Sequence, residues 1–394
     1  MNNKLLAKSV QDYINANLNA DVNQIALAKS KFEGITSAEL AGQLLSKKKS
    51  EKKLLTWFQT PGIYYPPALS IEQTSSEITA QYKSKLAVGD KLIDLTGGFG
   101  IDAYYFSKQV TAVTHCEINP ELSQIAAYNA EILDATHIQF EAVDGMEFIN
   151  NTIQQYDTIY VDPARRADKG KVFMLKDCTP NVTANLDLLL QKSKRIIIKT
   201  APLLDITAGL NELKCVSEIH IVSVKNECKE LIWIIDKDFS GEPKIIAVSL
   251  NETEKAFGFE KSESNVQVAF LNDLSGLKYL YEPDAALLKS GAFNLIAIRY
   301  QLVKLHPQTQ LYASNTINSD FPGRIFELKE QLTATDLKKV NGLIGNVLVR
   351  NYPAKPEDLV KKYKIKPDHD QFFIFTKVAN GENIIIKASI IQHY

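Results

Sequence analysis

Five short runs of β-branched and aliphatic residues, separated by stretches of helical character, constrain the fold of this chain more than any other feature. They are KLIDLT (91–96), VTAVTHCEI (110–118), THIQFEAVD (136–144), YDTIYVDP (156–163) and RIIIKTA (195–201). Each run is apolar enough to be buried on both faces, and each gap leaves room for a crossover helix. That combination predicts a parallel, doubly wound α/β sheet. Two further runs, EIHIVSV (218–224) and ELIWII (230–235), lie close together around 225–229 and predict an antiparallel hairpin closing the sheet edge.

The flanking regions differ in character. Over the first sixty residues Leu40, Leu44, Leu45, Leu54, Leu55 and Trp57 recur at helix spacing, which predicts a helical region. Pro61, Gly62, Pro66 and Pro67 interrupt that pattern, and a helix is expected over 70–86. Past residue 240, KIIAVSL (244–250) and NVQVAFL (265–271) predict strands, followed by a helical stretch around 283–305. NVLVRN (346–351) predicts a strand, and Pro356-Glu357-Asp358 opens a helix to about Lys364, with acids at the positive end of its dipole. FFIFTKV (372–378) and NIIIKASII (383–391) flank Asn380-Gly381, a favoured hairpin-turn nucleus. The expected division is a helical domain over 1–66, the parallel-sheet domain over 67–240, a small α+β domain over 241–322 and a second α+β domain over 323–394.

A chain of 394 residues is long enough to split into several cores. Residues 1–60 and 323–394 each carry a net charge of +4, against −9 for the 262 residues between them. Basic ends around an acidic middle fit appended nucleic-acid-binding modules, although the bias is mild. Within the first region, the lysines at 47–49, 52 and 53 suit either a solvated helix face or RNA phosphate contact. Cys116, Cys178, Cys215 and Cys228 are scattered without a C-x-x-C pair, which suits neither a zinc knuckle nor a disulfide framework. His115, His137, His220, His306, His369 and His393 show no metal-ligand spacing, so no metal is expected. The polar amino terminus has no signal core and no run approaches the ~18 apolar residues of a membrane helix. These features predict a soluble cytoplasmic protein.

The chemistry concentrates at the carboxyl ends of the predicted strands, where open parallel sheets bind ligands. KLIDLTGGFG (91–100) takes a buried strand to Asp94 and then turns through Gly97, Gly98 and Gly100 into a helix near Ile101. The glycines allow backbone to approach a ligand, and helix N–H groups point into the same space. The spacing is not the dinucleotide G-x-G-x-x-G, since Ala103 stands where a third glycine would. Glu117 ends the second strand, where a carboxylate can accept both hydroxyls of a ribose. Asp144 ends the third and can reach an adenine amine, though it equally suits a helix N-cap. Asp162-Pro163 ends the fourth.

DLTGGFGID (94–102), HCEIN (115–119), VDG (143–145) and DPAR (162–165) together resemble the class I S-adenosylmethionine-dependent methyltransferases, which have a Rossmann-like sheet. Within them the chain is similar to a bacterial family of RNA methyltransferases with a THUMP-like carboxyl-terminal domain. IEQTSSEITAQYKS (71–84), YEPDAALLKSGAF (281–293) and VRNYPAKPEDLVKKYKIK (349–366) extend the likeness from about residue 61 onward. The resemblance implies S-adenosyl-L-methionine as cofactor, with Asp94, Gly97 and Gly98 around its methionine moiety, Glu117 at the ribose and Asp144 at the adenine. Thr96, Gly100, Ile118 and Gly145, in the same motifs, are implied as further contacts. In related RNA enzymes a Gln, a Ser and a Lys ahead of the glycine loop line the cleft. Gln73, Ser75, Ser76, Thr79 and Lys83 match them in character, and equally suit a helix cap with an exposed polar face.

Asp162-Pro163-Ala164-Arg165 occupies the slot of the D/N-P-P-Y motif of amino methyltransferases. There an acidic or amide oxygen and the next backbone carbonyl accept hydrogen bonds from the target amine and align it with the methyl group. Ala164 departs from that motif, and Arg165 replaces an aromatic with a guanidinium that can stack on a base or hold a phosphate. Arg165 and Arg166 equally suit pairing with nearby acids. Asp162, Pro163 and Arg165 are thus the expected catalytic residues. Cys178 and Cys228 lack an activating motif for a covalent route. The expected function is methylation of a base nitrogen in RNA (rRNA or tRNA). A methyltransferase acting on a protein or small molecule, and a non-catalytic cofactor- or RNA-binding module, are the alternatives.

Overall fold

The computed structural model describes residues 1–165, 174–340 and 342–394. The chain divides into two compact units: Met1–Ser217 with Ile232–Gly241, and Glu218–Leu231 with Glu242–Tyr394.

The first unit opens with helices α1 (Lys8–Ala16), α2 (Val22–Leu27), α3 (Ser37–Ser50) and α4 (Leu55–Gln59). A capping box starts α3: the Thr36 side chain takes the Glu39 N–H, and Glu39 returns to the Thr36 N–H at 2.8 Å. The expected helix over 70–86 is two helices, α5 (Ala68–Gln73) and α6 (Glu77–Ser84). The first ends at Gln73 with Thr74 as its cap, and Ser76 starts the second, its side chain taking the Thr79 N–H. The break leaves Thr74 and Ser75 outside helical structure. Leu40, Leu44, Leu54, Trp57, Ile63 and Ile71 share one core with Phe99, Ile101, Tyr105 and Ile125, so the amino-terminal helices pack onto the elements that follow the glycine turn.

Those elements are β1 (Lys91–Asp94), α7 (Ile101–Phe106), β2 (Ala112–Cys116), α8 (Pro120–Ile132), β3 (Ile138–Glu141), α9 (Gly145–Asn151) and β4 (Tyr156–Val161). Next come the two-residue strands β5 (Ala164–Arg165) and β6 (Cys178–Thr179), then α10 (Val182–Lys192), β7 (Ser193–Thr200) and α11 (Ile206–Glu212). Five of the strands form the predicted parallel sheet in the order β7-β4-β1-β2-β3. Leu92, Ile93, Ile159, Ile196, Ile197 and Ile198 are fully buried, the condition read from their unbroken apolar runs. The reversal of strand order beside β1 is a topological switch point, and the carboxyl ends there frame a crevice.

The expected hairpin is β8 (Val216–Val224) and β9 (Glu227–Asp236), joined at Lys225 and Asn226, both at positive φ as a two-residue hairpin loop requires. It does not end the pairing. In the second unit β8 pairs parallel with β10 (Lys244–Leu250), which pairs antiparallel with β11 (Glu254–Glu260).

Among its described residues, the rest of the second unit is a seven-stranded sheet with four α-helices. Its elements are β12 (Tyr279–Pro283), α12 (Ala285–Ser290), α13 (Phe293–Tyr300), β13 (Val303–His306), β14 (Thr309–Ser314), β15 (Gly323–Leu332), α14 (Ala334–Lys339), β16 (Asn346–Val349), α15 (Pro356–Tyr363), β17 (Gln371–Lys377) and β18 (Asn383–Gln392). The order is β13-β14-β12-β15-β18-β17-β16. Alternate residues of β17 serve two cores: Phe372 and Ile374 face one with Leu280 and Phe326, while Phe373 and Phe375 face the other with Leu359 and Tyr363. The strand expected at 265–271 is absent apart from a single bridge at Phe270, because no neighbouring strand takes up its alternating valines.

Candidate active site

The carboxyl end of β1 builds the floor of the crevice. Asp94 is almost wholly buried and accepts the Thr96 N–H at 2.9 Å through one oxygen; no described residue donates to the other. Burial holds its carboxyl well above the usual range, and the charges of Asp102 and Asp162 add to that. The Gly97 N–H donates to the Cys116 carbonyl at 2.8 Å, and a Cβ on Gly97 would stand 2.2 Å from the buried His115 ring. Gly98 takes φ +55° and donates its N–H to Glu117 Oε2 at 2.8 Å. The other oxygen of Glu117 accepts the Asn119 N–H at 2.8 Å, so this carboxylate ties the glycine turn to the end of β2.

Asp144 caps α9, accepting the N–H groups of Met146 at 2.7 Å and Glu147 at 3.1 Å, and it also faces the crevice. The helix-cap reading of this residue is thus seen directly. A Cβ on Gly145 would meet the Leu95 carbonyl oxygen at 2.2 Å. At the end of β4 the Asp162 N–H donates to Thr96 Oγ1 at 2.8 Å, and its carboxylate accepts from Lys199 Nζ at 2.7 Å.

These groups enclose a cavity of about 370 Å³, within the usual range for small-molecule sites. Of the residues singled out from sequence, Gln73, Ser75, Thr96, Gly97, Gly98, Glu117, Ile118, Asp144, Gly145 and Asp162 line it. Asp94, Gly100, Ser76, Thr79, Lys83 and Pro163 stand behind the wall. Gly100 begins α7 at φ +83°, and Ser76 is the cap of α6. Lys83 has no exposure; its ammonium lies 3.2 Å from Asp102 and 3.0 Å from Ser75 Oγ, and both of those residues do line the cavity. The backbone of Arg165 lies in β5, but its side chain and Arg166 are outside the described residues.

Several wall residues were not read from sequence. Asp102 accepts from Ser75 Oγ at 2.7 Å and from the Tyr160 hydroxyl at 2.9 Å. Its signal was an acid in the first turn after the glycines. Ala164, Thr179 and Pro180 reach the cavity because β5 pairs antiparallel with β6, a contact of two residues that leaves no periodicity to read. Lys199 does not line the cavity but touches Asp162, which does; its signal was a charge directly after the apolar run Ile196–Ile198.

Other expectations divide. The Lys47–Lys53 run is largely engaged within the fold. Lys48 meets Glu51 at 2.9 Å, Lys49 pairs with Glu72, and Lys53 donates to the carbonyls of Ile71 and Glu72. Burial pushes the Cys116 thiol up to about 12 and the Cys228 thiol up to about 11, which keeps both protonated. Among the described residues no cluster of three His, Cys, Asp or Glu is placed to hold a metal, and no helix is long and apolar enough to cross a membrane.

Residues 279–322 match a family model described as a ferredoxin-like domain, and residues 323–389 one described as THUMP domain-like. An uncharacterised S-adenosylmethionine-dependent methyltransferase of Mycobacterium tuberculosis (strain H37Rv) is 21% identical over 320 residues, covering 79% of this chain and 84% of that protein. A solved structure of a candidate methyltransferase from Porphyromonas gingivalis W83 superposes over 100% of both chains with a TM-score of 0.87 and 29% identity. The chain is an S-adenosylmethionine-dependent methyltransferase. A shorter match, 30% identical over 116 residues, joins 29% of this methyltransferase to 24% of a 23S rRNA (uracil(747)-C(5))-methyltransferase of Pyrococcus abyssi.

The methyltransferase's crevice fits its cofactor on two structural grounds. The carboxylates of Glu117 and Asp144, two of the cavity-lining residues, can accept hydrogen bonds from a nucleoside, and Asp94 keeps a buried oxygen to which no described residue donates.

Proposed function

We propose that this methyltransferase modifies a base nitrogen in RNA, either rRNA or tRNA. The observation that carries the reading is Asp162 at the end of β4, with its carboxylate on the same cavity wall as the glycine turn and Glu117. The THUMP-like match and the rRNA-modifying relative from Pyrococcus abyssi support an RNA acceptor. Cys116 lines the cavity, but its protonated thiol does not favour thiolate attack on a pyrimidine carbon.

In this reading the carboxylate of Glu117 holds the ribose hydroxyls, with Ile118 against the same nucleoside. Asp144 and Gly145 meet the adenine, while Thr96, Gly97, Gly98 and Gln73 surround the methionine end. Asp94, Gly100, Ser76 and Lys83 shape that surface from behind. S-adenosylmethionine supplies an electrophilic methyl group on a sulfonium. Asp162 accepts a hydrogen bond from the target amine and directs its lone pair, with Pro163 fixing the backbone carbonyl beside it and Arg165 gripping the nucleotide. The four-part division at 66, 240 and 322 assigns the RNA grip to the terminal parts. A cytoplasmic place of action fits the scattered cysteines.

The test is tritium transfer from labelled S-adenosylmethionine to total RNA from a strain lacking the gene. Wild type labels RNA, and Asp162→Ala does so only at a small residual rate. Labelling of a protein or metabolite fraction with none in RNA refutes the reading.

A further inference from the structure

Lys199 pairs with Asp162, which lines the cavity, and has no role in the scheme above. It lies on β7, the parallel neighbour of β4, and the register pairs Val161 with Ile198. Continuing that register sets Lys199, on β7, beside Asp162, which directly follows β4, and the two side chains meet at 2.7 Å. Both are largely withdrawn from water, at 18% and 29% side-chain exposure. A pair so placed is held more firmly than one on an open surface.

The surroundings explain why a cation is needed there. Asp102 and Asp162 both line the crevice, and the charges of the two bear on the buried Asp94 behind it. Asp102 is matched by Lys83. A lone Asp162 carboxylate would be turned away from its acidic neighbours. The Lys199 ammonium engages Oδ2, and the Asp162 N–H is separately anchored on Thr96. With one oxygen and the backbone fixed, the direction of the other oxygen, Oδ1, is fixed too.

We infer that Lys199 is a positioning residue: it orients the Asp162 carboxylate so that Oδ1 meets the target amine. The inference rests on the role proposed for Asp162 and adds the residue through which that role depends on β7. A lysine that contacted the acceptor itself would act independently of Asp162, and the two cases separate experimentally.

The experiment measures initial rates of tritium transfer to total RNA, and in parallel to total soluble protein, from a strain lacking the gene. Wild type, Lys199→Met, Lys199→Arg, Asp162→Ala and the Lys199→Met/Asp162→Ala double variant are compared. S-adenosylhomocysteine affinity and thermal stability are measured on each. Lys199→Met is expected to lose about tenfold to a hundredfold in rate, the scale of a misplaced catalytic group, with cofactor affinity retained. Lys199→Arg recovers part of the rate, and the double variant is no slower than Asp162→Ala alone. A Lys199→Met enzyme as fast as wild type overturns the inference, as does a double variant slower than Asp162→Ala. Wild-type labelling of protein alone removes the RNA reading, and the Lys199 comparison is then decided in that pool. Labelling of neither pool overturns both.

Discussion

The ammonium of Lys83 lies 3.2 Å from the carboxylate of Asp102, and the lysine has no solvent exposure at all. Removing one member of such a pair strands the other as a buried charge. Lys83→Met is expected to lower the unfolding free energy by about 3–5 kcal/mol, measured by urea denaturation. The double variant Lys83→Met/Asp102→Asn should recover part of that loss. A double variant as unstable as the single one would show that the pair's charge is not what matters.

Two adjacent glycines should respond differently to alanine. At Gly97 a Cβ lands 2.2 Å from the His115 ring, which is fully buried and has little room to move. At Gly98 the nearest atom is 3.8 Å away, and the obstacle is the left-handed φ of +55°. Gly98→Ala should cost about 1–2 kcal/mol, and Gly97→Ala more. Denaturation of the two variants side by side checks the order.

His115 gives the fold an acid sensitivity of known sign. Burial lowers its pKa from the ordinary 6.5 to about 4. A group whose folded pKa is depressed contributes stability that is present above its unfolded value and lost as pH falls through the folded value. The affected window is therefore pH 6.5 down to about 4, and the contribution is on the order of 3 kcal/mol. His115→Gln should flatten the stability–pH curve across that window relative to wild type, as read by denaturation at fixed pH steps. Parallel curves would contradict the assignment.

Glu117 ties the glycine turn to β2 through Gly98 and Asn119. Its replacement by alanine should weaken S-adenosylhomocysteine binding by about tenfold to a hundredfold, the loss typical of a hydrogen bond to a charged group. Titration calorimetry decides it. Unchanged affinity would place the ribose elsewhere in the crevice.

The parts of this architecture that could be read in the sequence are those with a local physical cause. Ile93, Ile159 and Ile196–Ile198 are buried on a parallel sheet, so their runs are apolar without alternation. Gly97 and Gly145 are glycines because neighbouring atoms exclude a Cβ, and Glu117 and Asp162 directly follow the strands they were expected to end, whereas Asp144 stands three residues past β3 as the cap of α9. What could not be read depends on register or on a partner. The contact of Lys199 with Asp162 spans 37 residues and follows from how β7 sits beside β4. Lys83 looked like one polar residue on a helix face, and only tertiary packing places it against Asp102. Val266 and Val268 alternate like a strand but pair with no strand among the described residues, since the pattern specifies a face and not a partner.

The central claim, methylation of a base nitrogen in RNA, is tested most directly by mass spectrometry of nucleosides. Total rRNA and tRNA from a strain lacking the gene would be compared with RNA from that strain carrying wild type or Asp162→Ala. The account predicts one nucleoside with an added methyl group on its base fragment, present with wild type, absent without the gene and strongly reduced with Asp162→Ala. Identical nucleoside profiles in all three, with the protein present and able to bind S-adenosylhomocysteine, would contradict it.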